Sequence, residues 1–314
     1  VRPSHGWAGP VTQPEQPLKG GTSTGWILGG PLPPEGPVLR YRARLHREGK
    51  PEKKGVVRIV TEPALYAEME ARTGALAGLR HASLVAVLDH GRYRGRPFRL
   101  DAELDAPTVR DWARSQGPMR WGAVSSVAGE LVSLLEALHA AGLVHGHVCP
   151  DTVRLVRSGD RLLPILTDTP ALAAGLWQPF AAPELRQDNR PDARADVFGL
   201  GLVLHGLLNG EASTAEPGRS PWGEGRPGPA VTLDEAVTLD PPLRELLSAM
   251  VDRYASRRPD SVSALRALAG PSGATGTPTP PVLARRPPST ALWFALLGLL
   301  ALLTLIGGLW ATRG

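Results

Sequence analysis

The sequence predicts an α+β fold with a small β-rich lobe and a larger helical lobe, then a linker and one transmembrane helix. Three observations carry this. Strand-like runs gather before residue 104 with a single helical pattern among them, and the chain from residue 105 onward reads mostly as helices. Some 245 residues, roughly enough for two lobes around a large core, lie between a Gly/Pro/Ser/Thr-rich lead and a Pro/Gly/Thr-rich linker. Residues 291–310 (ALWFALLGLLALLTLIGGLW) form a run of twenty without a charge.

The elements follow in order. Residues 1–25 lack periodicity and read as a flexible lead. Residues 56–60 (VVRIV) read as a strand. Residues 64–79 suit a helix, with Leu65, Met69, Leu76 and Leu79 on one face. Residues 84–88 (LVAVL) and 98–104 read as strands, with GRYRGR as the turn between them. Residues 122–141 are predicted helical because Val124, Val127, Leu131, Leu134, Leu135 and Leu138 recur at helical spacing. Residues 195–208 and 242–254 are further helical stretches, and residues 269–290 are a linker.

As a helix, residues 291–310 would rise roughly 30 Å, the thickness of a bilayer core. Trp293 and Trp310 lie near its ends, where indole rings favour the headgroup zone. Arg285 and Arg286 precede the span, and only Arg313 follows it, within a short tail of residues 311–314. The positive-inside rule therefore places the preceding domain in the cytoplasm, on a single-pass protein of the cell membrane. With no apolar run near residue 1, no signal peptide is expected.

The net charge is +5, and 31 of the 35 basic residues are Arg. The four lysines are Lys19, Lys50, Lys53 and Lys54, and none follows. A single cysteine, Cys149, excludes an intrachain disulfide and a multi-cysteine metal site. No basic run interleaves with aromatics, so nucleic acid is not an expected partner, whereas an anionic membrane surface would suit the charge.

The stretch from Leu138 to Val153, LHAAGLVHGHVCPDTV, resembles the catalytic loop LHxxGIVHRDLKPxNV of bacterial Ser/Thr protein kinases. The resemblance continues collinearly. Leu79-Arg80-His81-Ala82-Ser83-Leu84-Val85 looks like LRHPNIV, and Tyr41-Arg42-Ala43-Arg44 like the segment after the Gly-rich loop. Leu166-Thr167-Asp168-Thr169-Pro170 falls at the DFG position, and Ala182-Pro183-Glu184 matches APE. Asp196-Val197-Phe198-Gly199-Leu200-Gly201 resembles DVWSLG, and Arg257-Arg258-Pro259 the late Arg-Pro. The match covers roughly residues 26–268 and implies a two-lobed protein-kinase-like fold, with lobes of about 26–104 and 105–268. His145-Gly146-His147 also echoes the HGD loop of aminoglycoside-type phosphotransferases, but the APE, DVFGLG and Arg-Pro pieces favour the protein-kinase branch.

The resemblance assigns roles that this chain fills unevenly. Kinases cradle ATP phosphates with a Gly-rich loop, a strand lysine paired to a helix glutamate, and two Mg²⁺ ions. Here Pro33, Glu35 and Val38 take the phosphate-facing glycine positions. Arg58 aligns with the ATP lysine, and Arg72 with the helix glutamate. In the catalytic loop His145 keeps its place, His147 stands for the catalytic aspartate, Cys149 for the lysine and Thr152 for the metal-binding asparagine. Asp168 remains as the Mg²⁺ ligand the family implies. Fifteen residues separate Asp168 from Glu184, and Thr169 is the only hydroxyl residue among them.

The positions that hold the fold persist: Glu184 and Arg258 as an ion pair, Asp196 as the cap of the catalytic loop, and His145 packed beneath it. The expectation is a pseudokinase, a membrane-held signalling and binding module with a protein partner, an active kinase being one candidate. ATP and Mg²⁺ belong to it only if nucleotide binding survives. The alternative is a divergent Ser/Thr kinase that uses Asp168, Arg58 or Lys54, and a relocated acid such as Asp151.

Overall fold

Strand β2 (Trp26–Glu35) turns at Gly36-Pro37 into β3 (Val38–Arg47), which pairs antiparallel with β4 (Lys50–Val60). In the computed structural model the described residues are 16–22, 25–47, 50–167, 180–187, 192–210, 233–235, 237–259, 265 and 268. The expected linker, transmembrane helix and Asp168 lie outside them.

With β1 (Gln16–Pro17), β5 (Val87–Tyr93) and β6 (Arg96–Ala102), these strands form one antiparallel sheet in the order β1-β2-β3-β4-β6-β5. The two edges of that sheet meet. Gly21 bridges Gly91, and the Arg92 N–H donates to the Gly20 carbonyl at 3.1 Å. A Cβ on Gly20 would sit 1.9 Å from the Arg92 oxygen, and one on Gly91 would sit 1.9 Å from the Gly20 oxygen. Only glycines let the backbones close so tightly. The buried Asp89 fastens the junction by accepting from Thr22 N and Thr22 Oγ1, both at 2.7 Å.

Residues 16–22 are thus part of the barrel wall, whereas the sequence assigned them to a flexible lead. Their pairing runs through glycine backbone, which leaves no apolar alternation to read. Inside the barrel Trp26, Leu28, Tyr41, Val57, Ile59, Phe98 and Leu100 form one apolar core.

Helix α1 (Tyr66–Gly78) packs on the other face of the sheet, where Met69 meets Val38 and Val60. The strand expected over residues 84–88 divides in two. Leu84 and Val85 join the other lobe, where Val85 N–H donates to Leu166 O at 3.0 Å, and β5 starts only at Val87. Gly91, Arg92 and Tyr93 remain in the strand. The turn is only Arg94-Gly95, both at positive φ, which matches the right-handed twist of a hairpin.

The second lobe is built on α3 (Trp121–Ala140), whose six predicted apolar positions are all buried. It is the one described helix long and apolar enough to cross a membrane, and it serves as the core helix of this lobe. Against it pack α2 (Val109–Gln116), the hairpin of β7 (Val153–Ser158) and β8 (Arg161–Leu166), and α4 (Ala193–Asn209). The reciprocal Thr108–Asp111 capping box starts α2. Next comes α5 (Pro241–Met250), shorter than predicted because the chain turns at Val251. On α4, a Cβ on Gly199 would lie 2.2 Å from the Val148 carbonyl, so this glycine lets the loop before β7 rest on the helix.

Candidate active-site cleft

The loop of residues 143–152 is held from below by Asp196, which is fully buried on the first turn of α4. Its carboxylate accepts the His145 N–H at 2.8 Å and the Gly146 N–H at 2.6 Å, and it lies 2.7 Å from His139 Nε2. His145 is buried and accepts the His147 N–H on Nδ1 at 3.3 Å, which leaves its ring proton on Nε2.

Thr152 is a staple of this loop. Its Oγ1 accepts the Cys149 N–H at 3.0 Å and lies 3.0 Å and 3.1 Å from the carbonyls of His147 and Cys149. The hydroxyl that stands at a metal-ligand position is therefore committed to loop backbone. Cys149 is fully buried against Phe180, Phe198 and Ala182, with Sγ 3.8 Å from His147 Nε2. Nothing about that environment exposes the thiol as a nucleophile. Asp151 reaches Arg110 through both oxygens, and the Arg110 guanidinium stacks 4.8 Å from the Phe180 ring. The Asp151 hydrogen bonds push Arg110 above its usual value, so this acid is engaged with a cation.

The structure brings Glu184 and Arg258 together in a two-pronged pair at 2.7 and 2.9 Å. Arg258 also donates to the Asp252 and Arg194 carbonyls and lies over the Phe198 ring at 4.7 Å. This arginine ties the 3₁₀ turn Pro183–Gln187 to α4 and to the chain after α5.

The opposite wall of the cleft carries different chemistry. Arg58, on β4, is 4 % exposed. Its Nη1 donates to Asp101 Oδ2 at 2.6 Å, and its Nη2 donates to the Thr167 carbonyl at 3.2 Å. Asp101 sits on β6 and takes a second guanidinium, Arg99, through Nε and Nη2 at 3.1 and 2.9 Å. On α1, Arg72 donates to the Val144 carbonyl and lies 3.8 Å from Glu68. Burial pulls Arg72 below its usual value, with Arg99 adding to the effect and Glu68 and Asp196 opposing it. Glu70 points elsewhere, binding Arg92 at 2.6 and 2.9 Å.

The sequence reading passed over Asp101, Arg99 and Arg110. The signal for the first two was an Arg-x-Asp alternation that places both on one strand face, opposite Arg58. These residues do not fit Mg²⁺-ATP in the manner of kinases. The lysine position is a buried arginine bonded to a strand carboxylate, the helix offers arginine where glutamate should stand, and Thr152 is turned to the loop.

No family model matches the chain. Over 151 residues it is 32 % identical to the serine/threonine-protein kinase PknL of Mycobacterium tuberculosis, a match covering 45 % of this chain and 37 % of that protein. Over 220 residues it is 29 % identical to Pkn1 of Myxococcus xanthus, covering 62 % of this chain and 31 % of the relative. The chain thus spans about a third of the length of these two relatives. The crystal structure of the M. tuberculosis PknI kinase domain superposes with a TM-score of 0.55 at 20 % identity, covering 78 % of this chain and 94 % of that domain. Rad53 in complex with AMP-PNP gives a TM-score of 0.62 at 15 % identity, covering 81 % and 66 %. This is a protein-kinase-like domain, related in sequence to bacterial Ser/Thr protein kinases.

Proposed function

We propose that the chain is a membrane-anchored pseudokinase, a kinase-like domain that transfers little or no phosphate and acts by binding a protein partner at the cytoplasmic face. The observation that carries this reading is the engagement of Arg58. The residue aligned with the nucleotide-binding lysine is buried and bonded to Asp101 and the Thr167 carbonyl, and the helix position aligned with its glutamate partner holds Arg72. The unequal retention of contacts supports it too. The loop anchors Asp196 and the Glu184–Arg258 pair are in place, while the catalytic aspartate position holds His147. An active kinase is the partner we favour, since a kinase-shaped surface without chemistry suits regulation of a chemically competent relative.

The relatives named as serine/threonine-protein kinases favour a second reading, a divergent enzyme dependent on Asp168. One assay separates the two. The full chain in mild detergent is incubated with Mg²⁺ and γ-labelled ATP, alone and with a general protein substrate, beside Asp168→Asn. We expect no incorporation above the variant. Incorporation that Asp168→Asn abolishes would establish the enzyme and remove the pseudokinase. Membrane attachment is tested by whether the chain stays with alkaline-washed membranes when residues 291–310 are present and leaves them when that segment is deleted.

A further inference from the structure

On the helical lobe, a groove of about 440 Å³ opens where the end of α2, the start of α3 and the tip of the β7–β8 hairpin meet. It shares no residue with the cleft described above. Trp112, Met119 and Leu162 give it an apolar floor, each half-buried against the core of the lobe. Around that floor stand the exposed side chains of Arg120, Arg157, Arg161 and Asp160. The lining therefore carries an excess of two positive charges among the described residues. No hydrogen bond or ion pair among those residues engages the guanidinium of Arg120 or Arg161, or the Asp160 carboxylate. Arg157 lies over the Trp112 ring at 5.9 Å, which sets one guanidinium at the edge of the apolar floor.

The frame of the groove is fixed by the lobe beneath it. Gly117 closes α2 at a φ of 73°, and its N–H donates to the Ala113 carbonyl at 3.0 Å. The Met119 N–H donates to the Leu207 carbonyl on α4 at 2.7 Å. A Cβ on Gly210 would lie 2.4 Å from Pro118 N, so α4 ends directly against this connector. A ligand arriving here has little backbone left to order. Helix α3 starts at Arg120, an N-cap without a side-chain bond, and has no acid in its first turn. The positive end of its dipole adds to the potential of the arginines.

We infer that this groove docks a short acidic segment of a protein partner, one that carries an aliphatic or aromatic anchor among its carboxylates. The inference rests on the proposed role of the chain as a partner-binding module, and it adds where the partner is held. Protein interfaces favour Trp, Met and Arg, arranged as an apolar centre with a polar rim, and the groove has that composition and that arrangement. Arginine forks match carboxylate oxygens in pairs, and the apolar floor takes the anchor. A small metabolite would need a few buried polar groups converging on it, whereas the charged groups here stand exposed at the rim.

Fluorescence anisotropy tests this with the full chain in phosphatidylcholine nanodiscs and a labelled peptide of alternating glutamate and leucine, about ten residues long. The peptide is expected to bind, and binding should weaken as salt rises. Arg120→Gln/Arg161→Gln should weaken it about tenfold. Arg253→Gln/Arg257→Gln removes the same charge elsewhere on the lobe and should change it by less than about twofold. The same peptide with serine for leucine should bind at least about tenfold more weakly, because the anchor is gone. Absence of binding to the folded chain would overturn the inference, as would equal loss in the two double variants. Equal binding of the serine peptide would reduce the groove to a charged patch and overturn it too. If the peptide does not bind but phosphatidylserine vesicles capture the wild type and not Arg120→Gln/Arg161→Gln, the arginines serve a lipid surface instead. The labelled-ATP assay judges the pseudokinase reading by catalysis and the peptide judges the groove, so either can fail alone.

Discussion

The two walls of the cleft have been rebuilt by different rules. On the helical side, the carboxylate of Asp196 is bonded to backbone N–H groups of the loop it supports. On the sheet side, the carboxylate of Asp101 is bonded to side chains, Arg58 and Arg99. Backbone donors are present whatever the residue, so an acceptor that serves them is needed for as long as the loop keeps its shape. Side-chain donors can change together with their acceptor. This explains how the helical wall retains its anchors while the sheet wall has exchanged the charges that kinase chemistry would use.

The largest expected effect tests the sheet wall. Asp101→Leu leaves two guanidiniums, each at most 5 % exposed at the side chain, without their carboxylate. Breaking a buried pair in this way should lower stability by about 3–5 kcal/mol. Replacing the whole cluster, Arg58→Met/Arg99→Met/Asp101→Leu, should recover most of the loss, since buried ion clusters exchange well for apolar groups of similar volume. Denaturant unfolding of the three proteins reads this directly. A triple variant no more stable than Asp101→Leu would mean that the cluster also carries lobe contacts, through Arg58 and Thr167, that apolar side chains cannot replace.

The helical wall should behave otherwise. Asp196→Asn keeps the shape and one acceptor oxygen but removes the charge that faces His145 N, Gly146 N and His139 Nε2. The expected loss is about 2 kcal/mol. Here no apolar substitution should rescue it, because the orphaned donors belong to the backbone. Combining Asp196→Asn with His139→Leu is the sharp version. Recovery to wild-type stability would show that the carboxylate acts mainly on the histidine, and the contrast between the walls would fail.

What was legible in the sequence follows the same division. Helix α3 could be read because its burial is local, with one apolar face at helical spacing. The Glu184–Arg258 pair was expected from a resemblance in motif. Asp101 was invisible as a partner of Arg58 because it lies 43 residues along the chain and its relation is set by the register of two strands. The closure of the barrel was hidden for a related reason. Gly20, Gly21 and Gly91 pair through backbone alone, so no apolar alternation marks a segment whose glycines let two backbones meet where a Cβ would clash. The apolar run at residues 84–88 misled because its two halves serve different lobes.

The smallest expected effect lies at the joint between the walls, where His81 follows α1 and reaches the helical lobe. Its Nδ1 accepts the Ser83 N–H at 3.1 Å, and its Nε2 lies 3.2 Å from Ser133 Oγ on α3. Burial lowers its value below the usual 6.5, against a smaller opposing pull from Glu130. A histidine lowered in the folded state binds its proton more readily when unfolded. Its contribution is therefore complete above about pH 6.5 and declines as pH falls from there toward the folded value. The unfolding midpoint of the wild type should drop between pH 7 and pH 5.5 by more than that of His81→Gln, whose amide can still bond Ser133 but does not titrate. Equal pH slopes would place the acid sensitivity elsewhere. A steeper slope in the variant would mean that the charged imidazole stabilises the joint through Glu130, which would make this a junction strengthened by acid and reverse the sign assigned to it.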